Sequence, residues 1–209
     1  IMFGRVKYFI VLLFLFSCTS EYQKLLKSTD YQAKYEAAMK YFEKGDFYRA
    51  EEIYEGLVSV YKGSEQAETI NYNLALCYMN QREYMSAGYY FLNFVKVFPN
   101  STKAYEAQFN AGLCFYKVSP RSSLDESFTK KSIEEFQIFL NKYPDTDKQK
   151  ECNDYIKELR AKLEKKSFDN AKLYYNLEDY KAAVVALKNS LKDYPDSFFR
   201  EEILYYILK

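Results

Sequence analysis

The stretch YYNLEDYKAAVVALKNSLKDYPDS (174–197) decides the fold. Its apolar residues between Ala183 and Leu191 recur three or four positions apart, which is the spacing of a helix with one buried face. This helix is predicted to end at the Tyr-Pro pair, because proline cannot continue a helical hydrogen-bond ladder. The polar residues Asp196 and Ser197 can then cap the next helix. The stretch therefore predicts the end of one helix, a turn, and a second helix.

The same ending occurs three more times, in FLNFVKVFPNS (91–101), in FQIFLNKYPDT (136–146) and, more weakly, in YEGLVSVYKGS (54–64). In each case the helix that precedes this closing helix carries a small residue followed three positions later by an aromatic one. These pairs are Ala38/Tyr41, Ala75/Tyr78, Gly112/Phe115 and Ala171/Tyr174. Each closing helix opens with another small residue, followed four positions later by a bulky one. These pairs are Ala50/Tyr54, Ala87/Phe91, Ser132/Phe136 and Ala183/Leu187. Small residues at these sites let two antiparallel helices approach closely, while the bulky residues fill the space beside them.

These positions resemble the tetratricopeptide repeat, a helix–turn–helix unit of about 34 residues. Small residues at its eighth and twentieth positions, aromatic residues at the eleventh and proline near the end recur here in register. The resemblance implies an all-α fold, a tetratricopeptide-repeat superhelix (α-solenoid) of about five helix pairs over residues 31–209. The fifth repeat begins at Phe198 and is expected to be truncated within its first helix.

Two departures from regular spacing predict local structure. Ala87 and Ser132 are 45 positions apart, and most of the excess over one repeat lies in KVSPRSSLDE (117–126), which predicts a polar loop. Ser132 and Ala183 are 51 positions apart, yet residues 148–176 contain neither glycine nor proline. We therefore predict one helix of about 30 residues there, roughly 45 Å long.

The N-terminal residues have the pattern of a secretory signal peptide. Residues 2–18 (MFGRVKYFIVLLFLFSC) carry two basic residues near their start, Arg5 and Lys7, and continue with nine apolar residues from Tyr8 to Phe16. Such a run is too short to cross a hydrocarbon core of about 30 Å. We predict a signal peptide over residues 1–17.

The end of this segment resembles the lipobox of bacterial lipoproteins. In Leu-Phe-Ser-Cys (15–18) the cysteine would be acylated and become the new N-terminus, although Phe16 replaces the usual small residue. The resemblance implies a covalent lipid on Cys18 with no other cofactor, a tether over residues 18–30, and, because Thr19 is not aspartate, the outer membrane. A generic export signal with a chance cysteine is the alternative.

Composition argues against several other functions. The chain of 209 residues has 30 Lys and Arg against 29 Asp and Glu, so it lacks the basic excess of a nucleic-acid-binding protein. It has no histidine, which excludes His-based catalysis and His zinc sites. Of its four cysteines, Cys77 and Cys114 occupy equivalent repeat positions and are predicted to be small packing residues. No metal site is expected.

Paired acids are the remaining candidates for catalytic groups. They are Glu51/Glu52, Glu134/Glu135 and Glu201/Glu202. Adjacent helical residues point in different directions, so these pairs are predicted to lie on solvated helix faces. No catalytic residue is expected, and the chain is not predicted to be an enzyme.

An exported chain with a lipobox, about five such repeats and a long helix after the third resembles the BamD family of outer-membrane lipoproteins. This family belongs to the β-barrel assembly machinery. The resemblance implies a scaffold and receptor that faces the periplasm, binds the POTRA domains of a BamA-like barrel protein and receives unfolded outer-membrane proteins. The alternative is another periplasmic repeat adaptor for cell-envelope or division proteins.

In this family the C-terminal half binds the POTRA partner. Arg160 and Lys162, in the basic run of the long helix, are therefore predicted interface residues, and a solvated helix face is the alternative.

The first helices of stacked repeats line the concave side, which predicts an apolar groove for an unfolded client. Its residues are Tyr35, Met39, Phe42, Tyr72, Leu76, Met79, Phe109, Leu113 and Tyr116. Tyr35, Tyr72 and Phe109 share one repeat position and are expected to form a row of rings, with Asn73 or Asn110 bonding to the client backbone. Packing against neighbouring repeats is the alternative.

Overall fold

The computed structural model describes residues 21–209, and all of the regular structure in that range is helical. Residues 21–27 are helical, and they are followed by nine helices. These are α1 (Tyr31–Glu43), α2 (Phe47–Val58), α3 (Gln66–Asn80), α4 (Tyr84–Val97), α5 (Ala104–Val118), α6 (Ser127–Lys142), α7 (Gln149–Asn176), α8 (Tyr180–Asp193) and α9 (Arg200–Leu208). The predicted signal peptide and Cys18 lie outside the described residues. Among residues 21–209, no helix combines the length and the apolar character needed to cross a bilayer.

The chain divides into two compact units, with the boundary after Glu83. In the first unit α1 packs on α2 and α2 on α3, and in the second unit α4 to α9 pack in sequence order. This is the helix-pair arrangement of a tetratricopeptide-repeat α-solenoid, and the predicted fold class is confirmed.

The first helix pair is set by its caps and by small residues. The Asp30 carboxylate accepts a hydrogen bond from the Ala33 N–H at 2.9 Å and so caps α1. The turn before α2 places Gly45 at φ +75°, a conformation that glycine adopts without strain. Ala38 and Ala50 are fully buried, and the helices accommodate Tyr54 beside them, as predicted.

Part of the predicted tether is folded. Residues 21–27 are helical, and the Tyr22 ring meets the Tyr41 ring edge to face at 5.7 Å between centroids. The Tyr22 hydroxyl donates to the Glu52 carboxylate at 2.5 Å, and burial together with this carboxylate raises the pKa of Tyr22. The Arg49 guanidinium lies 5.5 Å from the same ring. This segment is therefore attached to the first helix pair rather than extended away from it.

The third repeat shows most directly why small residues recur. A Cβ placed on Gly112 of α5 would lie 2.9 Å from the ring of Phe136 on α6, closer than carbon atoms normally approach. The Ser132 hydroxyl donates to the Gly112 carbonyl at 2.9 Å. Phe136 is fully buried and packs with Phe109 in a core that also contains Cys152. Glycine and serine are thus the residues that allow α5 and α6 to come this close.

The long helix and the polar loop are both present. Helix α7 has 28 residues, and the loop between α5 and α6 spans residues 119–126. The Lys166 ammonium of α7 donates to the Leu124 carbonyl at 2.8 Å and lies 3.4 Å from the Glu126 carboxylate. The predictions for both segments are confirmed, and the helix additionally holds the loop in place.

The cysteines of the described residues are free thiols in the core. Cys77, Cys114 and Cys152 are each fully buried. Burial raises the pKa of Cys77 and Cys114 to about 12 and that of Cys152 to about 11. A raised pKa disfavours the reactive thiolate. The packing role predicted for Cys77 and Cys114 is confirmed.

Candidate binding surfaces

The predicted groove residues of the first unit are mostly half-buried. Tyr35, Met39, Phe42, Leu76 and Met79 each keep part of their surface accessible, whereas only 6% of Tyr72 is exposed. The Tyr35 ring lies 5.9 Å from the Tyr61 ring, and the Phe42 ring lies 5.6 Å from the Phe47 ring. At Tyr72 the packing alternative therefore holds, while the other five positions retain an accessible apolar edge.

The side-chain amide of Asn73 was expected to bind a client backbone. This expectation is wrong for the side-chain NH2 group, because that group already donates within the protein. Its Nδ2 donates to the Tyr54 hydroxyl oxygen at 3.0 Å and lies 3.5 Å from the Met39 sulfur. The Tyr54 hydroxyl in turn donates to that sulfur at 3.1 Å. Asn73 is itself buried, with 7% of the residue exposed. The three side chains form a network that links α1, α2 and α3, in which Asn73 and Tyr54 are buried and Met39 is half-buried.

The predicted groove of the second unit is largely internal. Only 4% of Phe109 is exposed, and its ring lies 5.6 Å from that of Phe139, with the Lys148 ammonium 4.2 Å from its centre. Leu113 packs against the same core. An exposed row of rings that includes Phe109 is therefore a wrong prediction. Phe109 packs here on α6 of its own helix pair and in one core with Cys152 of α7, so this concave position is filled by core contacts.

Tyr116 is engaged by the long helix. Its ring lies 4.5 Å from the Tyr155 ring, and its hydroxyl donates to the Glu158 carboxylate at 2.6 Å. This hydrogen bond is the main cause that raises the pKa of Tyr116 to about 12, since it is lost when the phenol ionises. The Lys162 ammonium lies 5.6 Å from the same ring. Asn110, the second candidate for backbone binding, is buried with 7% exposed.

The two predicted partner residues differ in their surroundings. Arg160 is exposed and forms no salt bridge with any residue between 21 and 209. It borders a shallow depression of about 240 Å³ together with Ile133 and Leu163. Lys162 is half-buried, lies 3.8 Å from the Glu158 carboxylate, and donates to the Ser119 hydroxyl at 3.4 Å. Arg160 is thus available to a partner, whereas Lys162 helps to hold the loop that follows α5.

One of the paired acids is not solvated as predicted. Glu135 is 3% exposed, and its carboxylate accepts a hydrogen bond from Gln108 at 2.8 Å and lies 2.8 Å from the Lys131 ammonium. The neighbouring Glu134 is exposed, as expected. A buried carboxylate is tolerated only with such partners, and their position on α5 and α6 could not be read from adjacent glutamates. Within residues 21–209, no group of three or more His, Cys, Asp or Glu could hold a metal ion.

A comparison with known families identifies the chain. The family model YfiO, described as "Outer membrane lipoprotein", matches residues 27–209, which is most of the chain. No curated protein matches it significantly. The matched region contains all nine helices α1 to α9. The protein therefore belongs to the YfiO family of outer-membrane lipoproteins, which is the BamD family, and its location is the outer membrane.

Proposed function

We propose that the protein is a non-enzymatic scaffold and receptor of the β-barrel assembly machinery. It faces the periplasm, binds a BamA-like barrel protein through that protein's POTRA domains, and receives unfolded outer-membrane proteins. The family match over residues 27–209 carries this proposal. Stacked helix pairs support it, because such arrays offer long surfaces to partner proteins.

Co-purification from membranes tests the proposed partner. The full chain would be isolated with its bound proteins, and these would be identified. Recovery of a barrel protein that bears POTRA domains supports the assembly function. Recovery of cell-envelope or division proteins without any barrel protein would favour the alternative adaptor function.

The membrane anchor is proposed to be a lipid on Cys18. Stable attachment requires more than one acyl chain, so the modified cysteine would carry two or three. Replacing it (Cys18→Ala) should release the protein from membranes without changing its helical content. Retention of the variant after a high-salt wash, in cells that lack its partners, would contradict this anchor.

Arg160 is the better candidate for the POTRA contact, because Lys162 already bonds to other parts of the chain. Reversing the charge (Arg160→Glu) should weaken co-purification of the barrel protein without changing the melting temperature. Lys150→Glu, an exposed change at the start of the same helix, is the matched control. Lys162→Glu should also loosen the loop at Ser119. The effect of this variant on co-purification must therefore be compared with its effect on stability.

Client binding is proposed for the accessible edge of the first unit. Tyr35→Ala should weaken binding of an aromatic-ended barrel peptide by several-fold while costing little stability. Tyr72→Ala, at the equivalent repeat position but buried, should instead cost about 3 kcal/mol of unfolding free energy. Tyr48→Ala is a control, since this residue is 70% exposed on α2. If the wild type and Tyr35→Ala bound the peptide equally well, the accessible edge of the first unit would not be part of the client-binding site.

A further inference from the structure

The aromatic residue at the eleventh repeat position is covered by a helical segment in the first two repeats. Tyr41 of α1 lies against Tyr22 of the helical residues 21–27. Tyr78 of α3 is only 8% exposed, and its hydroxyl donates to the carboxylate of Glu55 on α2. In both repeats the covering segment precedes the helix that carries the aromatic residue.

The third repeat follows the same rule. Phe115 of α5 is fully buried under the preceding helix α4. Its ring lies 5.3 Å from that of Tyr89, and Gly88 makes room for it, since a Cβ there would lie 2.8 Å from the Phe115 ring. A preceding helix with a small residue at the contact is thus what this position normally packs against.

The fourth repeat departs from this rule. Tyr174 of α7 is 45% exposed, and its ring and hydroxyl make no aromatic contact or hydrogen bond with residues 21–209. The preceding helix α6 does not extend to it. Lys166 already lies beside Glu126, the residue before α6 begins. Tyr174 is eight residues further along α7, about 12 Å away. The extra length of α7 therefore leaves the usual covering position empty.

A groove of about 560 Å³ occupies this position. It is lined by Tyr174 and, on α8, by Lys181, Ala182, Val185, Ala186 and Asn189. Val185 is 60% exposed. Ala182 and Ala186 are one helical turn apart, so their small side chains let a second helix approach closely.

A basic side of α8 adjoins this groove, and its Lys181 is among the lining residues. Lys181, Lys188 and Lys192 are spaced so that they lie on one side of α8. None of the three forms a salt bridge within the described part of the chain. Asp179 is the only acidic residue that lines the groove. The charge of this side favours a partner with acidic side chains.

We propose that this fourth-repeat groove is the docking site for an amphipathic, acid-bearing α-helix of a partner protein. The apolar face of that helix would pack on Tyr174 and Val185, and its acidic edge would meet the three lysines. The bound helix would take the place that α2 and α4 take in the second and third repeats. This site goes beyond the POTRA contact proposed above, since it shares neither Arg160 nor Lys162 with it.

The chain itself supplies a probe of the required kind. Helix α2, FYRAEEIYEGLV (47–58), is amphipathic, carries three glutamates and covers the equivalent Tyr78. A labelled, helix-stabilised peptide of this sequence would be titrated with the full chain in detergent by fluorescence anisotropy. We expect saturable binding that Tyr174→Ala weakens about fivefold or more, as for a central interface residue. Lys181→Glu combined with Lys188→Glu should weaken it as well.

Tyr205→Ala is the matched control, because Tyr205 is 57% exposed on α9 outside the groove. It should bind the peptide as the wild type does, and Tyr174→Ala should melt as the wild type does. Absence of binding, or equal weakening by Tyr174→Ala and Tyr205→Ala, would overturn the proposal. Occupation of the groove by a second copy of this chain, instead of a partner protein, would also overturn the proposal. Sedimentation would then show a concentration-dependent dimer of the wild type that Val185→Glu abolishes.

Discussion

The third and fourth repeats carry the same motif but differ in how it is packed. Gly112 and Phe136 of the third repeat are buried, and so are the equivalent Ala171 and Leu187 of the fourth. Outside the helix pair the two repeats diverge, because Phe115 is fully buried while its counterpart Tyr174 is 45% exposed. The motif thus determines packing within a pair. Coverage of the pair from outside depends on whether a neighbouring helix reaches it.

The largest expected difference in stability is between variants in which Phe115 or Tyr174 is replaced by alanine. Phe115→Ala removes a fully buried ring and should lower the unfolding free energy by about 3–5 kcal/mol. Tyr174→Ala removes an exposed ring and should cost about 0.5 kcal/mol or less. Urea unfolding of both variants measures the difference. Similar losses for the two variants would mean that Tyr174 is covered in solution.

The close approach in the third repeat can be tested with a single methyl group. In Gly112→Ala the new Cβ meets the buried Phe136 ring, at a cost of about 1–3 kcal/mol. This cost opposes the roughly 1 kcal/mol that alanine contributes to a helix over glycine. We expect a net loss of up to about 2 kcal/mol.

Gly56→Ala is the control for this substitution, because nothing lies within 4 Å of a Cβ at Gly56 on α2. Only the helix-propensity gain applies there, so stability should rise by about 0.5–1 kcal/mol. Thermal unfolding of both variants should give shifts of opposite sign. If both variants were stabilised, the Phe136 ring would be able to move away from the new methyl group at little cost.

Two buried serines of the closing helices provide the next contrast. The Ser132 hydroxyl of the third repeat bonds to the Gly112 carbonyl, so Ser132→Ala should cost about 1 kcal/mol. The Ser190 hydroxyl of the fourth repeat is buried without a hydrogen-bond partner among the described residues. Ser190→Ala should therefore be neutral or stabilise the protein by up to about 1 kcal/mol. Equal losses in chemical denaturation would contradict this assignment of the two hydroxyls.

The smallest effect concerns the loop held by the long helix between these repeats. Lys166→Ala removes the contacts to Leu124 and Glu126, which at a partly exposed site are worth about 0.5 kcal/mol. Hydrogen exchange of residues 119–126 should become faster. Lys165→Ala is the control, since Lys165 pairs with Asp169 on the helix itself, at 3.0 Å. Unchanged exchange in Lys166→Ala would show that the loop is held by other contacts.

The same loop should respond to acid. A hydrogen bond from Lys130, together with Lys166, holds the pKa of Glu126 below its ordinary value. A carboxyl group with a lowered pKa in the folded state stabilises that state above the ordinary pKa, about 4.3 for glutamate. This stabilisation is lost as the pH falls through the lowered value. The exchange difference between wild type and Lys166→Ala should therefore be full at neutral pH and shrink in acid, where only the hydrogen bond from Lys166 to the Leu124 carbonyl remains.

Several features could be predicted because their causes are local. The 28-residue helix α7 follows from a long segment without glycine or proline. The loop before α6 follows from a polar segment that contains Pro120. Gly112 and Ser132 could be identified because only small residues fit where two helices nearly touch. Their recurrence at equivalent positions in four repeats made the pattern specific.

The exposed surface was predicted less well. Phe109 was expected to line an open groove and is buried against Phe139 of its own helix pair and in one core with Cys152 of the next helix, because this position carries core contacts. Glu135 was expected to be solvated and is buried, because Gln108 and Lys131 satisfy its carboxylate. The Lys131–Glu135 pair is a local i,i+4 spacing, but Gln108 lies on another helix, so the burial of Glu135 could not be predicted from its neighbours.

The sequence by itself determined the helix pairs, their order and the family of outer-membrane lipoproteins to which the chain belongs. Apolar spacing, helix-ending prolines and paired small residues act over a few helical turns and are readable in one dimension. Only the tertiary structure decided which of the repeated residues remain accessible. Phe115 and Tyr174 occupy the same motif position, yet a helix covers one and not the other. Burial depends on distant parts of the chain, and the length of α7 places those parts out of reach of Tyr174.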